Sequence, residues 1–470
     1  MVRSFMLALC VFAGTTTAQA DSSARATHAD ASDSLPETHR FAVASTTVAD
    51  TVSDARSLAA TTAPPWNPPE PMNQRRYWER VVLMPGHLLT LPLAGLGRMT
   101  EGTLNFVEGS NLIPQGFNPN PRQAHRTITL RSAGLSGLGA ALEVYRPVFP
   151  DRMEMALQAH VAGTIYGYNA TELGLTGRPL SLQYGYEWRP RERFYGLGPD
   201  SPPMVSDYAL QSEHVGVRLD HVRQGTRRPG APEGTKFSLW AETRTDVTSE
   251  GRDPGRPSYV DVYPDVAATS LGRRIDHFVY GGSVLLDQRI GVPHWEQGGR
   301  LLLSAERHGA PVDALTLHGS PTTGSEYMRY EGIAETGFSF FRDPRTVRVM
   351  VRVVDQRPDA GSAPLLPSEL AMLGDRDGLA GFDKGRFRDL DLALGRISYI
   401  VPIARRLEIE THSDWGSVYH DVWTDARFNN LEHSLGFSLR GRYELGVLAS
   451  IGADFSREGY RVSYTLGTTR

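Results

Sequence analysis

The 470-residue chain is poor in two residue types: it has one cysteine, Cys10, and two lysines, Lys236 and Lys384. A single cysteine excludes a disulfide framework and a cysteine-ligated zinc site. The 49 basic residues face 53 acidic ones, so the formal charge is only -4, which excludes a nucleic-acid binder on charge alone. Mean hydropathy is -0.32, which argues against a helical membrane protein, because each helical span needs roughly 20 consecutive apolar residues. None of these shortages excludes a membrane β-barrel, in which lipid-facing and lumen-facing residues alternate and the average stays polar.

What is present begins with an export signal. Arg3 supplies a positive end, Phe5 to Ala13 an apolar stretch, and Ala18-Gln19-Ala20 an A-x-A cleavage site, so residues 1–20 read as a signal peptide. Cys10 lies inside it, and Leu9 is not the small residue expected before a lipid-modified cysteine; the mature chain is then free of cysteine. Residues 21–76 are rich in Ala, Ser, Thr and Asp and then in proline (Pro64, Pro65, Pro68, Pro69, Pro71), the composition of a disordered periplasmic tether. Residues 77–125 read as a periplasmic or interfacial helical segment. Its uncharged run from Val81 to Gly97 carries two prolines and three glycines and is followed at once by Arg98, Glu101 and Glu108.

From Arg126 the dominant signal has period two. Val347, Val349, Val351 and Val353 alternate with Arg348 and Arg352; Leu407 and Ile409 alternate with Glu408, Glu410, His412 and Asp414. Comparable rows are Met155, Leu157, Ala159, Val161 and Val447, Ala449, Ile451, Ala453, Phe455. A soluble β-sandwich would alternate too. Strands of about fifteen residues exceed the usual 5–6 of globular sheets, and Tyr145, Tyr166, Tyr168, Trp188 and Tyr443 sit near strand ends as aromatic girdles do. Fourteen strands are read from the pattern, the first over 127–146 and the second over 153–168. Long connections near 248–272, 308–325, 357–387 and 418–429 alternate with tight ones, as in outer-membrane barrels. The fold class expected for residues 126–470 is therefore all-β, an antiparallel transmembrane β-barrel of 14–16 strands, monomeric, in the bacterial outer membrane.

Two segments are more specific. Phe194-Tyr195-Gly196-Leu197-Gly198-Pro199-Asp200-Ser201 lies in an early long loop, and Leu373 to Phe382, followed by Gly385-Arg386-Phe387-Arg388-Asp389, lies in the longest late loop. In this order, with five strands after the second, they resemble the bacterial surface antigen family, the BamA/TamA-type outer-membrane barrels. The resemblance covers about residues 126–470 and implies sixteen strands, so two escape the pattern; 255–270 and 313–317 are the candidates. It implies an in-folded loop carrying Leu379, Ala380, Gly381, Phe382 and Arg386, with lumenal acids Glu408, Glu410 and Asp414 to anchor it. It also implies a role in inserting or translocating proteins or lipids, with lipid, lipopolysaccharide and client outer-membrane proteins as partners. Three departures stand out. Ala380 occupies the family's tip arginine, for which Arg376 or Arg386 could substitute at Asp414. The stretch before Arg126 has no recognisable POTRA pattern. The last strand runs past Tyr464 and Leu466 to Thr469 and Arg470.

No enzyme can be argued. Gly134-Leu135-Ser136-Gly137-Leu138 misses the final glycine of a nucleophile elbow, and no phosphate loop, dinucleotide fingerprint or H-E-x-x-H occurs. His412 and Asp414 share a strand face, as any wet lumen allows. Catalytic residues, metal and cofactor are all expected to be none. Two alternatives stay open: a passive channel or plugged structural barrel, and an outer-membrane hydrolase. Gly134, Gly137 and Gly139 are expected in the first strand, where glycine packs poorly and weakens a seam.

Overall fold

The computed structural model describes residues 125–469, apart from 133–137, 150–154, 178, 203–204, 224–233, 293–294, 311–324, 341–344, 376–377, 405–406 and 444–445. The signal, tether and helical lead-in expected over residues 1–124 lie outside the described residues. Among the described residues no helix is long and apolar enough to cross a membrane, which says nothing about spans made of strands.

Among the described residues seventeen strands form one antiparallel sheet. They are β1 (His125–Ser132), β2 (Leu138–Phe149), β3 (Met155–Thr164), β4 (Asn169–Thr176), β5 (Leu180–Phe194), β6 (Ser206–Arg223), β7 (Gly234–Glu250), β8 (Arg274–Asp287), β9 (Ile290–Val292), β10 (Trp295–Gly309), β11 (Tyr327–Phe340), β12 (Arg345–Pro358), β15 (Asp391–Ala404), β16 (Leu407–Tyr419), β17 (Glu432–Tyr443), β18 (Gly446–Ser456) and β19 (Gly459–Thr469). Two short strands, β13 (Ala371–Leu373) and β14 (Phe387–Asp389), pair separately within one loop. Asp287 opposes Arg300 and Ile290 opposes Gln297 in one unbroken register, so β9 continues β8 and the sheet has sixteen long units.

The two strands that escape the sequence pattern are found earlier in the chain, in the β1–β2 hairpin and at β4. Residues 255–270 contain the helices α1 (Tyr259–Val262) and α2 (Pro264–Ser270), and 313–317 lies outside the described residues. The expected first strand over 127–146 is instead the hairpin β1–β2, and β4 follows a tight turn after β3. That turn is closed by Gly167 N–H donating to the Thr164 carbonyl at 3.1 Å, with Gly167 at φ 86°. Glycine takes this left-handed conformation without a steric cost. Both corrections have one cause: short turns in alternating sequence do not interrupt the period. Gly139 falls in β2 rather than the first strand, and Gly134 and Gly137 lie outside the described residues.

Register puts the expected residues on opposite faces. Leu157, Val161, Leu173, Leu182, Leu219, Leu239, Leu303, Phe437 and Ile451 are exposed along one face. The other carries Arg348, Arg352, Arg396, Asp414, Glu410 and Arg440, cross-linked by ion pairs such as Arg352 to Glu331 at 2.7 Å and Arg348 to Glu335 at 3.4 Å. A one-residue slip would exchange the two faces, so the register is strongly specified. The girdle expectation needs correction at two positions. Tyr168 is buried, with its hydroxyl on Glu187 at 2.8 Å, and Tyr145 shares the face of Glu143 rather than Leu142. A place on the polar face satisfies a phenol as well as an interface does, so aromatic position alone does not fix the face.

Candidate functional site

Between β12 and β15 the chain makes a long loop, residues 359–390, whose middle folds onto the polar face of the sheet. Its apolar anchor is local: Leu373, Leu379, Phe382 and Phe387 are almost fully buried and pack with Val354 of β12, Leu392 and Leu394 of β15 and Val418 of β16. Phe382 and Phe387 meet edge to face at 5.1 Å. Burying one such side chain contributes about 1.5–3 kcal/mol. This is why the segment folds inward although the strand face around it is charged. Tight turns make the fold-back possible: Gly374 N–H donates to the Gly378 carbonyl at 2.7 Å, and Gly374 at φ 109° lies so close to the Asp383 carbonyl that a Cβ would stand 1.9 Å from it.

The loop is then fixed by polar groups from three directions. From β16, Asp414 accepts the Ala380 N–H at 3.1 Å and holds Arg396 of β15 through both carboxylate oxygens, at 2.6 and 2.9 Å. A carboxylate thus reads the backbone N–H of the loop tip. From the β18–β19 hairpin, Ser456 Oγ donates to the Gly381 carbonyl at 2.8 Å and Arg461 donates to the Phe382 carbonyl at 2.9 Å. From β5 and the loop after it, Arg193 and the Tyr195 hydroxyl both engage Asp383, which also pairs with Arg461.

Arg386, expected as a possible substitute at Asp414, goes elsewhere. It is buried, donates to the Ser201 Oγ at 2.8 Å and the Ser201 carbonyl at 2.9 Å, pairs with Glu458 at 2.8 Å, and stacks over Tyr195 and Phe387. Its companion Arg376 lies outside the described residues. Glu408 and Glu410, expected to anchor the loop, engage Arg440 of β17. The loop therefore meets one of the three expected acids, Asp414. Distance along β16 explains the others: Glu408 sits at the end of β16 remote from the loop.

The two motifs singled out in the sequence are joined. Ser201 receives Arg386, Tyr195 reaches Asp383, and Gly198 N–H donates to the Arg388 carbonyl at 2.8 Å. Gly196 and Gly198 have φ of 97° and 85°, which gives their glycines a backbone reason. Phe194 packs instead under α1 and α2, against Tyr208, Tyr259 and edge-on to Tyr263. Sequence reasoning missed Arg388, fully buried, which donates to the Arg193 carbonyl at 3.0 Å, the Tyr208 hydroxyl at 3.1 Å and the Pro367 carbonyl. It also missed Asp383 and Lys384, the latter pairing with Glu192 of β5 at 3.5 Å. The other lysine, Lys236, pairs with Asp220 at 3.0 Å beside the opposite ends of the strands. At the outer end of the loop, burial pushes the Asp389 carboxyl above its ordinary range, against the lowering pull of His420 nearby.

Chemically the arrangement is a loop tied down by ion pairs and hydrogen bonds. Among the described residues no three metal-ligating side chains converge. No family model and no curated protein sequence matches the chain. Among solved structures, BamA from Haemophilus ducreyi lacking POTRA domains 1–3 is similar in fold, with a TM-score of 0.51 at 12% identity over 74% of this chain and 70% of that one. CdiB from Acinetobacter baumannii aligns at a TM-score of 0.44 and 11% identity, over 73% of this chain and 65% of that one. CdiB from Escherichia coli aligns at 0.42 and 12%, over 72% and 61%.

Proposed function

We propose that the chain is an outer-membrane β-barrel of the surface antigen type that takes part in inserting or translocating proteins or lipids. The observation that carries this reading is the junction of the two motifs: the loop tip at Leu379 to Phe382 lies on β16, and its base is bound to Tyr195, Gly198 and Ser201. Five long strands follow the tip, as the resemblance requires, and sixteen long units agree with its strand number. The BamA-like fold and the exposed apolar rows support a lipid-facing exterior.

In this reading β1 and β19 meet in a seam, and function requires the seam to part, because a fully paired barrel offers no free edge to a client. Cys10 is the only native cysteine, so cysteine pairs placed on β1 and β19 report on the seam without background. Oxidation is expected to lock the pair and to abolish complementation of a deletion strain, with reduction restoring it. Full rescue by the locked protein sinks lateral opening.

The polar ties on the loop favour a second reading, a plugged structural barrel. Planar-bilayer recordings separate the two from an open channel: the native chain should conduct little, and deletion of residues 373–388 should give large open states. Large steady openings that the deletion leaves unchanged would remove both plug and loop from the account.

A further inference from the structure

Asp383 occupies an unusual place in the contact pattern. Its carboxylate receives Arg193 of β5, the Tyr195 hydroxyl just after β5, and Arg461 of β19. The ties beside it sort into the same two groups. Toward the last hairpin run Ser456 to the Gly381 carbonyl, Arg461 to the Phe382 carbonyl and Glu458 to Arg386. Toward β5 and its loop run Lys384 to Glu192, Arg388 to the Arg193 carbonyl, and Arg386 to Ser201. Arg386 thus holds both groups through one side chain, as Asp383 does.

We propose that residues 381–388 are a clasp that fastens the β18–β19 hairpin to β5, with Asp383 and Arg386 as its two double-ended fasteners. The inference rests on the barrel reading, because only in a closed barrel are β19 and β5 separated by β1–β4 alone. There the clasp spans the seam and the four short-looped strands beside it. The seam of that reading, where β1 would meet β19, is then crossed on the inside by a polar strap. A client or lipid that opens the seam must also displace the strap, so the loop adds to the barrier against opening.

The electrostatics make Asp383 the sensitive point. Two guanidinium groups converge on one carboxylate; neutralising it removes two charge-assisted bonds and leaves like charges facing each other. The test uses the full chain refolded into dilauroylphosphatidylcholine vesicles and hydrogen exchange read by mass spectrometry. In Asp383→Asn, amides of residues 446–469 should exchange about tenfold faster than in the native chain, the factor that roughly 1.4 kcal/mol supplies. Arg461→Gln should accelerate the same peptides, and the double variant should fall short of the product of the two single factors, since the two residues share one ion pair and each has further ties of its own. Unchanged exchange in 446–469 in both single variants overturns the clasp, and so does an equal rise throughout β6–β17, which would mean general loosening. Should Asp383→Asn not refold, Arg461→Gln alone decides between these outcomes. The cysteine pair on β1 and β19 keeps the two ideas apart: if it never crosslinks in the native chain the closed-barrel reading fails, whatever the exchange pattern.

Discussion

At the scale of single residues, the loop depends on a few residues with no substitutes. Gly374 is one, because alanine there would meet a backbone carbonyl in a conformation that only glycine tolerates. Gly374→Ala is expected to open residues 373–388 to limited proteolysis in vesicles while leaving the sheet resistant. Arg388→Ala should cost about 3 kcal/mol or more, since it strands buried carbonyls and a phenol that the guanidinium now satisfies; thermal unfolding followed by intrinsic fluorescence measures it. Asp389 gives a pH dependence. Its carboxyl is raised by burial, so its contribution to loop stability is complete below the ordinary aspartate value and is lost as pH rises through the raised one. The exchange rate of residues 387–391 relative to Asp389→Asn should therefore climb with pH from about 4 upward. A flat ratio over that range contradicts the assignment. The sequence announced Arg386 through its motif but not its partners. Ser201 and Glu458 are brought to it by strands far apart in the chain, and nothing local to residue 386 encodes them.

At the scale of elements, period two revealed nearly every strand because one face carries apolar side chains and the other charged ones. What it could not reveal is where a strand stops when the turn keeps the alternation. Ile165-Tyr166-Gly167-Tyr168 has the look of a strand end bearing girdle aromatics, yet Gly167 turns the chain and Tyr168 goes inside. Gly167→Ala should weaken the β3–β4 hairpin by about 1 kcal/mol, read as faster exchange confined to residues 155–176. The in-folded loop was legible as a motif and its apolar anchor was not. Leu373, Leu379 and Phe382 are separated by irregular backbone, so no periodicity marks them as one cluster.

For the molecule at large, the charges of the described strands are divided between faces rather than spread evenly. Acids and arginines meet one another across the polar side of the sheet, and the opposite side is left to leucine, valine, phenylalanine and tyrosine. On the proposed barrel reading, the chain should resist detergent until boiled. The expected result is a faster band for the unheated sample than for the heated one on a denaturing gel, because a chain with its strands still paired is compact. Identical mobility would count against a stable closed sheet.

The scarcity of lysine has a practical side once the two ion pairs are seen together. Lys384 sits on the strap facing Glu192, and Lys236 faces Asp220 near the opposite ends of the strands. An amine-selective reagent therefore finds two side-chain addresses on the natural sequence, one at each rim. Their relative labelling in intact cells and in opened vesicles reads out which rim faces the medium and how firmly the strap is seated, with no residue replaced.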